Sequence, residues 1–263
     1  VSILNGIVMG GGLGVSVHGR FRVATKKTVC AMPEAALGVF RDVGTSYFYS
    51  RLPGFFGEYA GLTGARFDGA EMFACGLATH FVPSERLPFL EQELVKVNTS
   101  DPDVISAIIT HFSNIPKLKA ESPYNKMTGS LQPSIQSMKK ASPISLKITL
   151  RSIREGRLQD VGSCLIREYR MVCHVFRGEF SNDFFETEIP RCVMIHLIMN
   201  NPEFRYQKLV SFFFHMFSVE PSKLELIRDD DVDRYFSKID DEDWEDLKLP
   251  PRSNLLPYAI AKI

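Results

Sequence analysis

Four clustered glycines and two carboxylates are the residues of this chain whose types and spacing suit joint chemistry. Glu34 and Asp42 follow the glycines among mostly apolar neighbours, and the glycines are Gly10, Gly11, Gly12 and Gly14. A glycine loop that opens a helix exposes backbone N–H groups at a positive helix terminus. Such groups stabilise a developing oxyanion, and a nearby carboxylate can act as nucleophile or general base. The pattern therefore indicates acyl chemistry.

Two other glycine-loop functions fail on the residues themselves. A P-loop needs a Gly-Lys-Ser/Thr ending, which this loop lacks. The dinucleotide pattern needs a third glycine where the chain has Val15. A purely structural role, a close helix–strand contact that only glycine fits, stays open on the residues alone. The sequence has no Gly-x-Ser-x-Gly elbow, and its histidines have no metal-ligand spacing, so neither a serine triad nor a metal site is expected.

Short strands alternating with helices must position these groups, which indicates an α/β fold. The apolar run Ile3–Leu4 is typical of the end of a buried strand. Further strands are predicted at Phe21–Ala24, Thr28–Met32 and Leu77–Val82. Helices are predicted at Val43–Leu52, Phe55–Thr63, Gly69–Cys75, from Ser84 to Val97, and at Asp101–Phe112 with Asp101 as cap and Pro102 at the first position.

The second half of the chain is predicted to be helical with irregular interruptions. One helix begins after the cap Ser142–Pro143 and ends near Gly156, and a second follows Asp160. Its long apolar stripe is expected to be the buried face: Val161, Leu165, Tyr169, Val172 and Phe176. The acidic tail from Arg228 to Asp246 is expected to contain a docked amphipathic helix.

Composition restricts the classes of partner and compartment. The formal net charge is zero, so no electrostatic case exists for nucleic-acid binding. The five cysteines form no C-x-x-C pair, which favours reduced thiols inside the cell. No apolar run reaches the length of a membrane span, and no signal peptide is visible. Self-association stays open.

The motifs together resemble the crotonase superfamily. They are, in order, GIVMGGGLGVSVHGRFRVAT, CAMPEAALGVFRDVG, RLPG, LTGARFDG and GLATHFV. The resemblance implies an α/β crotonase-like spiral of ββα units followed by a helical C-terminal region. The expected organisation is a fold core at 1–112, an irregular linker with a probable deletion at 113–137, a helical region at 138–186, an atypical insert at 187–219 and an acidic tail at 220–263.

Within the superfamily, the motifs are similar to those of hydrolases that cleave the thioester of 3-hydroxyisobutyryl-CoA in valine breakdown. The resemblance implies that Glu34 attacks the thioester or activates water, and that Asp42 holds the 3-hydroxyl group or orients Glu34. Gly11 would donate an oxyanion N–H, with Gly10 and Gly12 beside it. The acyl-CoA is substrate, so no cofactor is expected. The alternatives are an enoyl-CoA hydratase or isomerase, and a non-catalytic remnant with a structural role.

The chain departs from the family pattern at several places. Arg41 stands where the family usually has proline, and we expect it to lower the pKa of Asp42 and to alter substrate choice. The start at Val1, without methionine and inside a strand pattern, suggests that a portion with the second oxyanion donor is absent and that the chain alone releases little CoA. The end at Ala261–Lys262–Ile263 resembles a peroxisomal signal; a mitochondrial or cytosolic location is the alternative.

Overall fold

The computed structural model describes residues 1–120, 122, 124, 132–177, 224–241 and 244–249. The expected insert at 187–219 and the tripeptide Ala261–Lys262–Ile263 lie outside the described residues. None of the helices in those ranges combines the length and the apolar character that a membrane crossing requires.

In the described ranges, six short strands form two three-stranded sheets. The strands are β1 (Ser2–Leu4), β2 (Ile7–Met9), β3 (Arg22–Ala24), β4 (Val29–Ala31), β5 (Phe67–Asp68) and β6 (His80–Phe81). The first sheet has the order β1-β3-β6 and is parallel throughout. The second has the order β2-β4-β5, in which β2 and β4 are parallel and β5 is antiparallel to β4.

The first four strands of the chain alternate between the two sheets, and this produces a spiral. β1 and β2 start the two sheets, and after α1 (Gly11–Val17) the strands β3 and β4 pair with them in the same order. Ser2 is opposite Arg22, and Ile7 is opposite Val29. Each turn of the chain therefore adds one strand to each sheet, which confirms the expected spiral of ββα units.

Helices account for most of the remaining described chain. They are α2 (Thr45–Tyr49), α3 (Phe56–Thr63), α4 (Gly69–Ala74), α5 (Leu87–Lys96), α6 (Pro102–Phe112), α7 (Gln132–Lys139), α8 (Pro143–Gly156), α9 (Val161–Arg177) and α10 (Asp229–Phe236). Three 3-10 helices, Glu34–Leu37, Ser84–Arg86 and Leu224–Leu226, complete the set in those ranges. Helix α7 crosses the boundary expected between 137 and 138.

Side-chain caps start several helices where the sequence predicts them. Asp101 accepts the backbone N–H of Asp103, and Ser142 accepts that of Ser145. In both cases proline follows the cap, where its missing N–H costs no helical hydrogen bond. Asp68 and Glu71 form a reciprocal capping box at α4. These local signals are independent of tertiary packing, which is why they can be predicted from the sequence.

Two apolar clusters connect the spiral to the C-terminal helices. The larger cluster surrounds α1 and α2 and includes Ile153 of α8. The second cluster is formed mainly by α8, α9 and α10, and it takes in Phe40 from the segment between the two candidate carboxylates. Phe40 is 1% exposed, so that segment is anchored from the C-terminal side. Val232 and Tyr235 of α10 are buried in the same cluster, which confirms the docked helix predicted for the acidic tail.

Four features of the fold differ from the sequence predictions. Strand β2 was missed because it has only three residues and lies between two glycines. Strand β6 is shorter than predicted, and β5 lies between two predicted helices where no strand is predicted. The described members of the apolar stripe predicted to be the buried face of α9 are only half-buried. The face that is buried carries Cys164, Arg167, Glu168, Met171, His174 and Val175. Helix α9 has apolar residues on both sides, so spacing alone could not select the face.

Candidate active site

The glycine loop ends strand β2 and begins helix α1. The Gly10 N–H donates to the carbonyl of Ala31 at 3.4 Å, and the Gly10 carbonyl accepts from Leu13 and Gly14. The next two N–H groups, of Gly11 and Gly12, have no assigned acceptor in the part of the chain that the structure describes. A Cβ atom added at either residue would meet nothing within 4 Å. Two backbone N–H groups at the start of α1 are therefore without an assigned acceptor among the described residues, and the space beside their Cα atoms is open.

Glu34 lies directly against this loop. It opens a 3-10 helix after Pro33, and its carbonyl accepts the N–H groups of Gly38 and Val39. Its side-chain Oε1 is 3.0 Å from the position that a Cβ on Gly10 would occupy. Gly10 has a φ of 52°, so both its backbone angle and this contact require glycine. The structure thus brings Glu34 to the end of α1 where the free amides lie.

Arg41 is turned toward Glu34, contrary to the sequence expectation. It is 2% exposed, and its Nε donates to the carbonyl of Met32 at 2.9 Å. Burial lowers the pKa of Arg41, while the charges of Glu34 and Tyr49 act in the opposite direction. The expectation that Arg41 lowers the pKa of Asp42 was wrong. Burial raises the pKa of Asp42, and Arg41 is not among the groups that shift it.

The segment around Asp42 has an unusual backbone. Val43 has a φ of 54° and Gly44 a φ of 84°. Valine is β-branched, so a left-handed backbone at Val43 is strained. The Asp42 carbonyl accepts both the N–H and the hydroxyl of Thr45, at 3.0 and 2.6 Å. This conformation persists only if surrounding groups hold it in place.

Helix α1 contacts both carboxylate segments on one face. Glu34 packs over Gly10, and Val43 packs over Gly14, where an added Cβ would lie 2.4 Å from the Val43 Cβ. Gly10 and Gly14 are four residues apart, so the two contacts are separated by one helical turn, roughly 5.4 Å of rise. His18, just after α1, places Nε2 at 3.3 Å from the Val43 carbonyl oxygen. The structure therefore brings Glu34, the glycines and the Asp42 segment together.

Glu168 of α9 completes the neighbourhood and was missed by sequence reasoning. Its carboxylate accepts the Gly44 N–H at 2.6 Å, the Ser46 N–H at 2.9 Å and the Ser46 hydroxyl at 2.6 Å. Burial raises the pKa of Glu168 to about 7, and the nearby charge of Asp42 acts in the same direction. One helical stripe of α9 carries Cys164, Glu168, Met171 and Val175. A single glutamate in that otherwise uncharged stripe was the sequence signal that could have identified Glu168.

The arrangement offers a carboxylate next to two free backbone donors, and a second, half-buried carboxyl group on the segment that contacts α1 one helical turn further along. These are the parts needed to attack an acyl carbon while stabilising negative charge on its oxygen. No group of three or more His, Cys, Asp or Glu residues within the described ranges is arranged to hold a metal ion.

The family model for enoyl-CoA hydratase/isomerase matches residues 1–131 and 115–212. A solved carnitinyl-CoA dehydratase from Mycobacterium thermoresistibile is similar with a TM-score of 0.71 and 28% identity, over 91% of this chain and 68% of that chain. The spiral fold is thus that of the crotonase class, and the chain belongs to the enoyl-CoA hydratase/isomerase family.

Particular relatives refine this assignment. 3-Hydroxyisobutyryl-CoA hydrolase 1 of Arabidopsis thaliana is 52% identical over 290 residues, covering 100% of this chain and 71% of the relative. The mitochondrial 3-hydroxyisobutyryl-CoA hydrolase of Xenopus tropicalis is 34% identical over 92% of this chain and 64% of its own length. A relative with a different name, the small ribosomal subunit protein mS47 of Arabidopsis thaliana, is 38% identical over 95% of this chain and 64% of its own length.

Proposed function

We propose that the chain hydrolyses the thioester of 3-hydroxyisobutyryl-CoA to 3-hydroxyisobutyrate and CoA. The observation that carries the proposal is the position of Glu34, whose Oε1 lies against Gly10 at the start of α1, beside the free amides of Gly11 and Gly12. The 52% identity to an Arabidopsis hydrolase of that name supports the choice of substrate. Valine breakdown is the corresponding process.

The reaction uses these groups as follows. The thioester oxygen accepts the Gly11 N–H, and the Gly12 N–H lies beside it as negative charge develops. A carboxylate oxygen of Glu34 adds to the carbonyl carbon, the carbon–sulfur bond breaks, and CoA leaves as a thiolate. Water then cleaves the resulting anhydride, releases the hydroxy acid and regenerates the Glu34 carboxylate. In the variant form of the mechanism, Glu34 removes a proton from water, and that water attacks directly.

Asp42 binds the 3-hydroxyl group of the substrate in this proposal. Burial raises the pKa of Asp42, so its carboxyl group takes up a proton more readily than an exposed aspartate does. A protonated carboxyl can both donate to and accept from a hydroxyl group. Substrates that lack the 3-hydroxyl should therefore bind less well.

Two other functions have specific support. Hydration or isomerisation of an enoyl-CoA would use the same oxyanion donors, and the structural similarity to a carnitinyl-CoA dehydratase favours it. A structural role in a larger assembly is favoured by the similarity to a ribosomal protein. Both alternatives predict no release of free CoA from 3-hydroxyisobutyryl-CoA.

One set of assays separates the three functions. The protein that carries this chain is mixed with 3-hydroxyisobutyryl-CoA, and free thiol is measured over time; hydration is followed with an enoyl-CoA as loss of its conjugated absorbance. We expect thiol release and little hydration. Hydration without thiol release would favour the hydratase. Inactivity in both assays with co-sedimentation on ribosomes would favour the structural role.

Isotope labelling distinguishes the two forms of the hydrolysis. In a single turnover in H₂¹⁸O, the label enters the Glu34 carboxylate only if the anhydride forms and water opens it at the Glu34 carbonyl carbon, whereas direct attack of water on the thioester places the label only in the released acid. We expect label in Glu34, read by peptide mass spectrometry.

The cellular location has two proposals. The peroxisomal address rests on Ala261–Lys262–Ile263 alone, and the mitochondrial alternative is supported by the name of the Xenopus relative. Fluorescence microscopy of the intact protein and of a variant lacking the tripeptide distinguishes them. Loss of peroxisomal signal on removal supports the first proposal.

A further inference from the structure

The segment that carries Asp42 is held mainly by residues that lie more than 100 positions further along the chain. Three hydrogen bonds join it to Glu168 of α9, from the Gly44 N–H, the Ser46 N–H and the Ser46 hydroxyl. Helix α8 approaches it as well, because a Cβ added at Gly156 would lie 2.2 Å from the Ser46 carbonyl oxygen. Phe40 is buried between α8, α9 and α10.

The backbone at this segment does not hold its shape by itself. Val43 has a φ of 54°, which a β-branched residue adopts only under constraint. Glu168 accepts the N–H groups on either side of Thr45, so its carboxylate fixes the turn that follows Val43. If these bonds were lost, relaxation of Val43 would move Asp42.

Holding a turn with a buried carboxylate costs free energy. Glu168 is 2% exposed, and a buried carboxylate must give up its hydration. A neutral or apolar residue that let the segment relax would avoid that cost. Two backbone donors and one hydroxyl donor converging on a single carboxylate are expected where a defined geometry is needed.

We propose that Glu168 is a positioning residue for substrate discrimination: by fixing residues 43–46 from α9, it sets the position of the Asp42 carboxyl group relative to Glu34. This inference rests on the proposed function, in which Asp42 binds the 3-hydroxyl group. Glu168 touches no reacting atom. Its effect should therefore be seen in the preference for hydroxylated substrates and not as a general loss of turnover.

The test compares Glu168→Gln, Ser46→Ala and Ile109→Ala in the whole protein that carries this chain. Glutamine keeps the volume but presents an NH₂ group to one of the backbone donors, and alanine at 46 removes only the hydroxyl donor. Ile109 is fully buried in a separate cluster near α5 and α6, so its variant is a control for a general loss of stability. kcat and KM are measured with 3-hydroxyisobutyryl-CoA and with isobutyryl-CoA, which lacks the 3-hydroxyl.

For Glu168→Gln, we expect the preference for the hydroxylated substrate to fall about tenfold, the value of about one lost hydrogen bond. Ser46→Ala should also lower the preference for the hydroxylated substrate, but by a smaller factor. Hydrogen exchange of the peptide covering residues 43–48 should speed up in both variants. Ile109→Ala should lower the melting temperature and leave both the preference and this local exchange unchanged.

The outcomes separate this inference from the proposed function. If the unmodified protein releases no CoA from either substrate, the proposed function is wrong and the inference falls with it. If it does release CoA but Glu168→Gln keeps the normal preference, or loses turnover equally on both substrates, only the positioning role is overturned. Unchanged exchange at 43–48 in Glu168→Gln would overturn it as well.

Discussion

Glu34 and Asp42 are eight positions apart in the sequence, yet two different regions of the molecule hold them. Glu34 is held by its own neighbourhood: the glycine loop at Gly10, the 3-10 helix that it opens, and Arg41 close behind it. Asp42 belongs to a strained turn that is bonded to Glu168, 124 residues beyond Gly44. One half of the site is therefore encoded locally, and the other half depends on the C-terminal helices.

The electrostatic surroundings of the two carboxylates differ in the same way. A buried cation, Arg41, lies near Glu34 and stabilises its negative charge. Asp42 is near the carboxyl group of Glu168, and burial raises the pKa of both. The first environment suits an ionised nucleophile or base, and the second suits a group that binds a hydroxyl. The following predictions test whether the two regions really have these separate roles.

The largest effect is expected for Glu34→Gln. The amide keeps the volume but can neither attack nor accept a proton, so thiol release should fall by roughly 10²–10⁴-fold with little change in melting temperature. The matched control is Glu91→Gln, the same change at an exposed position on α5. Turnover near that of the control would contradict the assignment of Glu34.

A smaller effect on rate is expected for Asp42→Asn. The amide still forms hydrogen bonds, so kcat/KM for 3-hydroxyisobutyryl-CoA should fall about tenfold, whereas isobutyryl-CoA should be affected less. Steady-state kinetics on the two substrates measures both values. Equal losses on the two substrates would mean that Asp42 does not bind the hydroxyl group and that the proposed division of roles is wrong.

Stability should depend on pH through Glu168. Its pKa is raised from 4.5 to about 7, so the folded state holds this proton more tightly than the unfolded state does. The stabilisation from the bound proton is present in full below about pH 4.5 and is lost as the pH rises through about 7, by about 3 kcal/mol at most. Asp42 and Cys164 also face Glu168. Both residues are present in the wild type and in the Glu168→Gln variant compared below, so the comparison isolates the titration of Glu168.

Urea unfolding of the wild type and of Glu168→Gln at pH 5 and pH 8 measures this dependence. Because the glutamine amide does not titrate, the stability of the wild type relative to Glu168→Gln should fall from pH 5 to pH 8. A relative stability of the wild type that instead rises from pH 5 to pH 8 would contradict the raised pKa of Glu168.

The sequence predicted the local half of the molecule well. The glycine loop, the strand before Glu34, the caps Asp101 and Ser142 and the docking of α10 were all foreseen, because each depends on neighbouring residues or on a simple spacing. The similarity to known relatives then confirmed the family and its fold. The roles of Glu34, Asp42 and the glycines stay predictions.

The long-range half of the site could not be predicted in the same way. The direction of the Arg41 side chain is set by the Met32 carbonyl, and the buried face of α9 is set by the turn at Gly44 and Ser46. No local pattern records either contact. Apolar residues on both sides of α9 led to the wrong stripe. Two of the three donors to Glu168 are backbone N–H groups, which have no sequence signature.

The smallest expected effect tests the helix that both regions share. Gly14→Ala would place a Cβ 2.4 Å from the Val43 Cβ, and Val43 cannot move without changing its strained backbone. Gly12→Ala is the matched control, because the same methyl group two residues earlier in α1 would meet nothing within 4 Å. We expect Gly14→Ala to destabilise the fold by about 1–3 kcal/mol through overpacking, and Gly12→Ala to be neutral or stabilising by up to about 1 kcal/mol.

Thermal and urea unfolding of the two variants measure these values side by side. Because Gly14 contacts the Asp42 segment and not Glu34, its variant should also lower the preference for the hydroxylated substrate while hydrolysis of isobutyryl-CoA persists. Equal stabilities for the two alanine variants would mean that Val43 yields easily, and that the turn is not fixed between α1 and Glu168. A loss confined to the hydroxylated substrate would instead show that helix α1 transmits the position of one carboxylate without disturbing the other.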